Sequence, residues 1–271
     1  MPTRSFSTLW SPTICDMSQL QVGLRLFRQQ SHKLIRILTV GRDKVLRTIQ
    51  YFARFYSWYL YRTNNPTSAI QPWTTVKNQL GLTRKILRVG KFVEHIRAAS
   101  ELYDVAMKQG SGDKIVQYLQ TLRQIGYGGY LLFDTMTVLD AMGVTKNEGV
   151  KRRQATAYRF WFTGLVASAV AGMYSLYQLS QRTREIDEKD PDGKMEKVKI
   201  QKCASSTPMY GPILTNSRQR KVANIQLTSD LCDLTVPSTA LGYANFDDGF
   251  IGLAGTLSSL LGVQGVWAKT G

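Results

Sequence analysis

FWFTGLVASAVAGMYSLYQLSQ, residues 160–181, decides the fold, because it runs for 22 residues without a charged side chain. A helix of that length reaches roughly 33 Å at 1.5 Å per residue, enough to cross the ~30 Å hydrocarbon core of a bilayer. A second uncharged stretch, GFIGLAGTLSSLLGVQGVWA at 249–268, is 20 residues long and also sufficient. Neither is strongly hydrophobic, so a pair of buried or interfacial helices competes with spanning. The small residues favour spanning. Gly164, Ser168 and Gly172 recur four apart, as do Gly255 with Ser259 and Ser258 with Gly262. That spacing lets transmembrane helices approach backbone to backbone, whereas a soluble helix loses about 1 kcal/mol per glycine. Trp161 and Trp267 stand where an antiparallel pair would meet one membrane face, with Tyr174, Tyr177, Phe246 and Phe250 toward the other. Hydrophobic periodicity is 3.6 throughout, with no alternating run of strand type. The expected fold is all-α: a membrane-associated helical protein with amphipathic N-terminal helices and two candidate transmembrane helices.

The charge supports this. The 271 residues carry a net +16, and 24 Lys and Arg against 9 Asp and Glu up to Arg159 place nearly all of the excess in the first 159 residues. Such asymmetry points to an anionic partner, nucleic acid or phospholipid surface. The two uncharged stretches favour phospholipid. Cys15, Cys203 and Cys232 are widely spaced with no CxxC pair, and His32 and His95 each stand alone. Disulfide scaffolds, structural zinc and triad chemistry are therefore not expected.

Outward from the spans, residues 1–30 read as a flexible N-terminal extension without the apolar core of a secretory signal. Region 31–110 is basic and amphipathic. Leu24, Phe27, Leu34 and Leu38 have rough helical spacing up to Gly41. Val45, Ile49, Phe52, Tyr56 and Tyr59 then form one stripe, opposed by Asp43, Arg47, Gln50, Arg54 and Ser57, until the turn signal Asn64-Asn65-Pro66. The sharpest pattern follows at 77–97, where one helix is predicted with two faces. Its apolar face is Leu82, Ile86, Val89, Val93 and Ile96; its basic face is Lys77, Arg84, Lys85, Arg88 and Lys91, with Glu94 the lone acid. An ordinary solvated helix mixes signs. A basic amphipathic helix beside spans can instead lay its apolar face into the headgroup boundary and attract anionic lipid.

Region 111–159 is a helical connector, with a third span over 115–143 as the weaker alternative, and Asp134 and Asp140, six residues apart, are expected in loop or bundle positions. The first candidate transmembrane helix is 160–181. Region 182–221 alternates acids and bases around Pro191-Asp192-Gly193 and is expected to be a loop without fixed fold. Region 222–248 is a helical or loop approach to the glycine-rich second candidate, 249–268.

Four segments together carry a resemblance: GRDKVLRTIQYFARFYSWYL (41–60), RKILRVGKFVEHIRAA (84–99), YRFWFTG (158–164) and GFIGLAGTLSSLLGVQGVW (249–267). In this order and spacing the chain resembles the peroxisomal biogenesis factor 11 family, fungal type, over about residues 31–267. The resemblance implies a peroxisomal membrane protein that elongates the organelle and promotes its division, with no cofactor and no catalytic site. It further implies that the amphipathic helix inserts into the membrane, that copies self-associate, and that a dynamin-related GTPase and its membrane adaptor are recruited.

Two other functions are weighed against it. Paired glycine-rich helices in an oligomer could form a channel for small metabolites. A basic nucleic-acid binder would require both uncharged stretches to be soluble core. For topology, Lys151, Arg152, Arg153 and Arg159 crowd the start of the first span and predict that side as cytosolic; two spans then return the C-terminus there, with both termini cytosolic.

Overall fold

The computed structural model describes residues 41–108, 114–145, 147–189 and 212–267, and every regular element among them is helical. In chain order these are α1 (41–62), α2 (Thr67–Leu87), α3 (Phe92–Lys108), α4 (Lys114–Met136), the short α5 (Val138–Ala141), α6 (Val150–Lys189), α7 (Pro212–Ala240) and α8 (Asp248–Trp267). The all-α expectation holds. Within α6 and α8 lie the two described segments long and apolar enough to cross a membrane, Val150–Gln181 and Asp248–Trp267.

Local chemistry sets the breaks. Asn64 adopts the left-handed region at φ 54°, and Pro66 sits extended at φ −63° and ψ 147° before the first residue of α2. Proline cannot continue α1 but is preset for this boundary. The helix predicted over 77–97 is divided. α2 stops at Leu87, and the chain turns through Gly90 at φ +81° before α3 begins. Glycine takes that conformation without a Cβ penalty. Through the turn, Val89 N–H bonds the Ile86 carbonyl and Lys91 N–H bonds the Arg88 carbonyl. These i→i−3 bonds keep a nearly helical pitch, so the sequence period continues across a break that it does not reveal.

The two described ends of the polar region 182–221 are helical where a loop was expected. α6 runs on to Lys189 and α7 starts at Pro212. Leu227 faces Gly172, while Leu234 and Val236 pack on the cluster of Tyr130, Leu131, Ala157, Trp161 and Leu165. Widely spaced apolar contacts thus order a helix whose other positions look like solvated loop. Residues 190–211, the extension 1–30 and the helical pattern before Gly41 lie outside the described residues.

The helices α4, α6, α7 and α8 alternate in direction. α4 and α6 run antiparallel: Gly126 packs on Gly164, Tyr130 stacks on Trp161 at 5.0 Å, and Thr137 Oγ1 donates to Gln154 at 3.3 Å. A Cβ at Gly126 would lie 2.6 Å from the Gly164 Cα, so only glycine permits that approach. Ser168 meets Asp230 and Gly172 meets Leu227, which makes α6 and α7 antiparallel. Ser229 and Ser258 share a hydrogen bond at 3.1 Å at similar distances from the 241–247 loop, so α7 and α8 form a hairpin.

Candidate membrane interface

α1 presents its polar stripe inward. Arg47 is buried in a two-pronged ion pair with Asp233 of α7. Asp43 accepts from Arg84 at 3.2 Å, Gln50 accepts from Arg84 at 2.6 Å, and Arg54 reaches Asp248 at 2.5 Å. The other stripe faces out: Val45, Ile49, Phe52 and Tyr59 are all exposed. A water-soluble helix arranges its faces the other way round.

The basic face predicted at 77–97 behaves alike. Arg84 is only 7% exposed, and Lys85 and Arg88 converge on the buried Asp134 at 3.2 and 3.4 Å. Arg88 also donates to the Tyr130 hydroxyl at 3.0 Å, and Lys85 to Gln154 at 3.1 Å. Burial and the neighbouring Arg88 draw the Arg84 guanidinium below its ordinary range, with Asp43 opposing. Burial also works to lower Arg88, but Tyr130 and Asp134 outweigh it and hold the guanidinium above its usual value. The structure therefore turns Arg84, Lys85 and Arg88, expected on a lipid-binding face, inward onto carboxylates. A guanidinium or ammonium taken out of water pairs with a carboxylate where one is in reach, and Asp43 and Asp134 supply it. Lys77 is half-buried 3.8 Å from Asp248, and Lys91 is half-buried beyond the bend.

The apolar face is left outside. Ile86, Val89, Val93 and Ile96 are exposed on either side of Gly90, Val93 at 58%, while Leu82 is half-buried. Asp134 takes a bundle position, whereas Asp140 holds the loop before α6 by accepting from Thr145 at 2.7 Å and pairing with Arg153 at 3.8 Å.

The small residues predicted at helix contacts all lie at or near such contacts within the chain. Gly164 meets α4, Ser168 bonds Asp230, and Gly172 faces Leu227. Gly255 lies against Tyr51, Gly262 lies against Lys44, Ser258 bonds Ser229, and the buried Ser259 donates to the Gly255 carbonyl at 2.5 Å. The polar interior of Arg47, Asp230 and Asp233 escaped the sequence reading. One signal was present: from 222 to 246 the chain holds two acids and no base, so Asp230 and Asp233 had to find partners on distant helices.

Outward positions elsewhere are apolar too, with Val166, Val170, Met173 and Tyr177 on α6 and Phe250, Leu253, Leu257 and Leu260 on α8. The surface is a girdle of aliphatic and aromatic side chains around paired charges and hydroxyls. Exposed apolar area of this extent marks an interface, and a polar core inside it suits a lipid surround.

Comparison with known proteins agrees with that chemistry. The family model described as Peroxisomal biogenesis factor 11 matches residues 32–267. Peroxisomal membrane protein PMP30B of Candida boidinii is 24% identical over 248 residues, covering 88% of this chain and 94% of its own. Peroxisomal biogenesis factor 11 of Schizosaccharomyces pombe is 24% identical, covering 84% and 90%. Peroxisomal membrane protein PMP27 of Saccharomyces cerevisiae is 27% identical, covering 86% and 91%. No solved structure matches.

Proposed function

The chain belongs to the peroxisomal biogenesis factor 11 family, and from that premise we propose that it remodels the peroxisomal membrane, elongating it ahead of division. The family and its relatives place it among peroxisomal membrane proteins with a role in biogenesis. Remodelling rests on one observation, the exposed run Ile86, Val89, Val93 and Ile96 astride the Gly90 bend.

Arg84, Lys85 and Arg88 clamp this segment to α1 and α4. The apolar side chains are then presented on a rigid support. Full burial of a Val or Ile is worth about 1.5–3 kcal/mol, so four that are already partly covered gain on the order of 3–6 kcal/mol by entering the acyl boundary. A wedge held at that depth enlarges one leaflet relative to the other and favours positive curvature. In this form of the proposal the inward charges position the wedge, and attraction to anionic phospholipid falls to basic groups beyond the clamp such as the exposed Arg97, which also pairs with Glu101 at 2.9 Å. Self-association and recruitment of a dynamin-related GTPase with its adaptor belong to the proposal without assigned residues. Cytosolic termini remain part of it as well; Gly41 lies beside Val266, so the two described chain ends share one end of the bundle.

The test uses the full chain reconstituted in anionic vesicles. Val89→Asp with Val93→Asp should leave helical content and membrane retention unchanged while abolishing tubules in electron micrographs. Undiminished tubulation would overturn the wedge. A channel is the second reading, drawn from a cavity of about 680 Å³ whose lining mixes Gln120, Ser168 and Gln226 with Leu179, Val222 and Ala223. That reading predicts conductance in planar bilayers from the same tubulation-defective variant.

A further inference from the structure

We propose that α1 and α7 cross the bilayer together with α6 and α8, so that the outward faces of these two charged helices are lipid-facing surface. The inference rests on the membrane reading of α6 and α8 and follows from geometry. α1 lies along nearly the whole of α8: Lys44 is level with Gly262, Tyr51 with Gly255, Phe55 with Gly252 and Trp58 with Gly249. A helix in register with a span from end to end shares its depth.

α7 follows from direction. α6 is antiparallel to α7, and α7 is antiparallel to α8, so the two apolar spans run the same way. Two parallel spans in one chain require a return crossing between them, and α7 lies in that place. Ser168 and Ser258, deep within the two spans, both bond the same turn of α7 through Asp230 and Ser229.

The charges along the middle of both helices are satisfied internally, while Arg42, Arg220 and Lys221 stand exposed toward the helix starts. Arg47 pairs with Asp233, Asp230 accepts from Ser168 and Gln226, and Arg54 pairs with Asp248 at the head of α8. Intramembrane charges are tolerated when they pair inside the bundle. Arg62 meets Asp247 at one end of α1 and Lys44 stands near the other, where long side chains can reach the interface. Apolar outward residues extend the girdle of α6 and α8, Val45, Ile49 and Phe52 on α1 and Ile225 and Leu231 on α7, where Asn224, Gln226 and Thr228 are exposed as well. The occupant of these faces is therefore bilayer hydrocarbon.

The directions of α1, α6, α7 and α8 return both described chain ends to one face and place the basic start of α6 on the other. The two cytosolic expectations, for Lys151 to Arg159 and for the termini, then separate onto opposite faces.

The experiment places single spin labels at Phe52, Leu231 and, as reference, Leu257 in the full chain in liposomes. Collision rates with oxygen are compared with those of an aqueous nickel chelate. Phe52 and Leu231 should match Leu257, with oxygen accessible and nickel excluded. Nickel access at either, or shielding from both reagents as in a protein contact, overturns the crossing of that helix; nickel access at Leu257 as well would show that the membrane reading itself has failed. As a second readout, protease sites inserted before α6 at Gly149 and in the α7–α8 loop at Ala244 should be cut from the same face of intact peroxisomes, and a C-terminal site from the opposite face. Cutting at Gly149 and the C-terminus from one face while Ala244 is spared would restore a two-span hairpin.

Discussion

Replacing Gly252 by alanine tests the α1–α8 contact directly. A Cβ there would lie 2.7 Å from the Phe55 backbone nitrogen and 2.8 Å from its Cα. Ordinary contact begins at 3.4 Å, so the methyl is about 0.7 Å too close, and backbone cannot swing aside as a side chain can. The helices must separate. Overpacking of this kind costs about 1–3 kcal/mol. Alanine also stabilises a helix over glycine by about 1 kcal/mol, which would mask part of the loss. Gly265 removes the ambiguity, since a Cβ there meets nothing within 4 Å. The propensity gain is common to both substitutions and cancels in their difference. Gly252→Ala should therefore melt roughly 2–12 °C below Gly265→Ala, taking about 2–4 °C per kcal/mol for a chain of this size. The assay is thermal unfolding followed by circular dichroism in one detergent at fixed protein concentration. If Gly252→Ala melts at or above Gly265→Ala, the close packing of α1 on α8 is refuted.

Asp233→Asn strands the buried Arg47 and should cost about 3–5 kcal/mol; the exchange Arg47→Asp with Asp233→Arg should recover part of it in the same melting assay. Asp134→Asn removes the carboxylate shared by Lys85 and Arg88, so limited trypsin digestion should cut after Arg88 or Lys91 sooner than in the parent chain. Arg62→Glu breaks a pair whose side chains are about 60% exposed, and should shift stability by less than about 1 kcal/mol. Alkaline carbonate extraction should leave the protein in the membrane pellet, and release into the supernatant would count against spanning.

Period and length alone carried the helical character of 42–62, 160–181 and 249–267, and the small-residue spacing marked Gly164, Gly172, Gly255 and Gly262 before any neighbour was known. These are local properties, since a 3.6-residue repeat and a missing side chain are written along one segment. The direction in which a stripe points is not local. Val45 to Tyr59 and Ile86 to Ile96 have the same period whether they face a core or a lipid, and only the carboxylates of Asp43, Asp134 and Asp233, brought in from other segments, turned the basic stripes inward. The break at Gly90 stayed hidden because i→i−3 bonds preserve the repeat, and α7 stayed hidden because its contacts with α6 are spaced among polar residues. Which helices run parallel, and so how many times the chain crosses, depends on which pairs touch, and that information exists only in the assembled bundle.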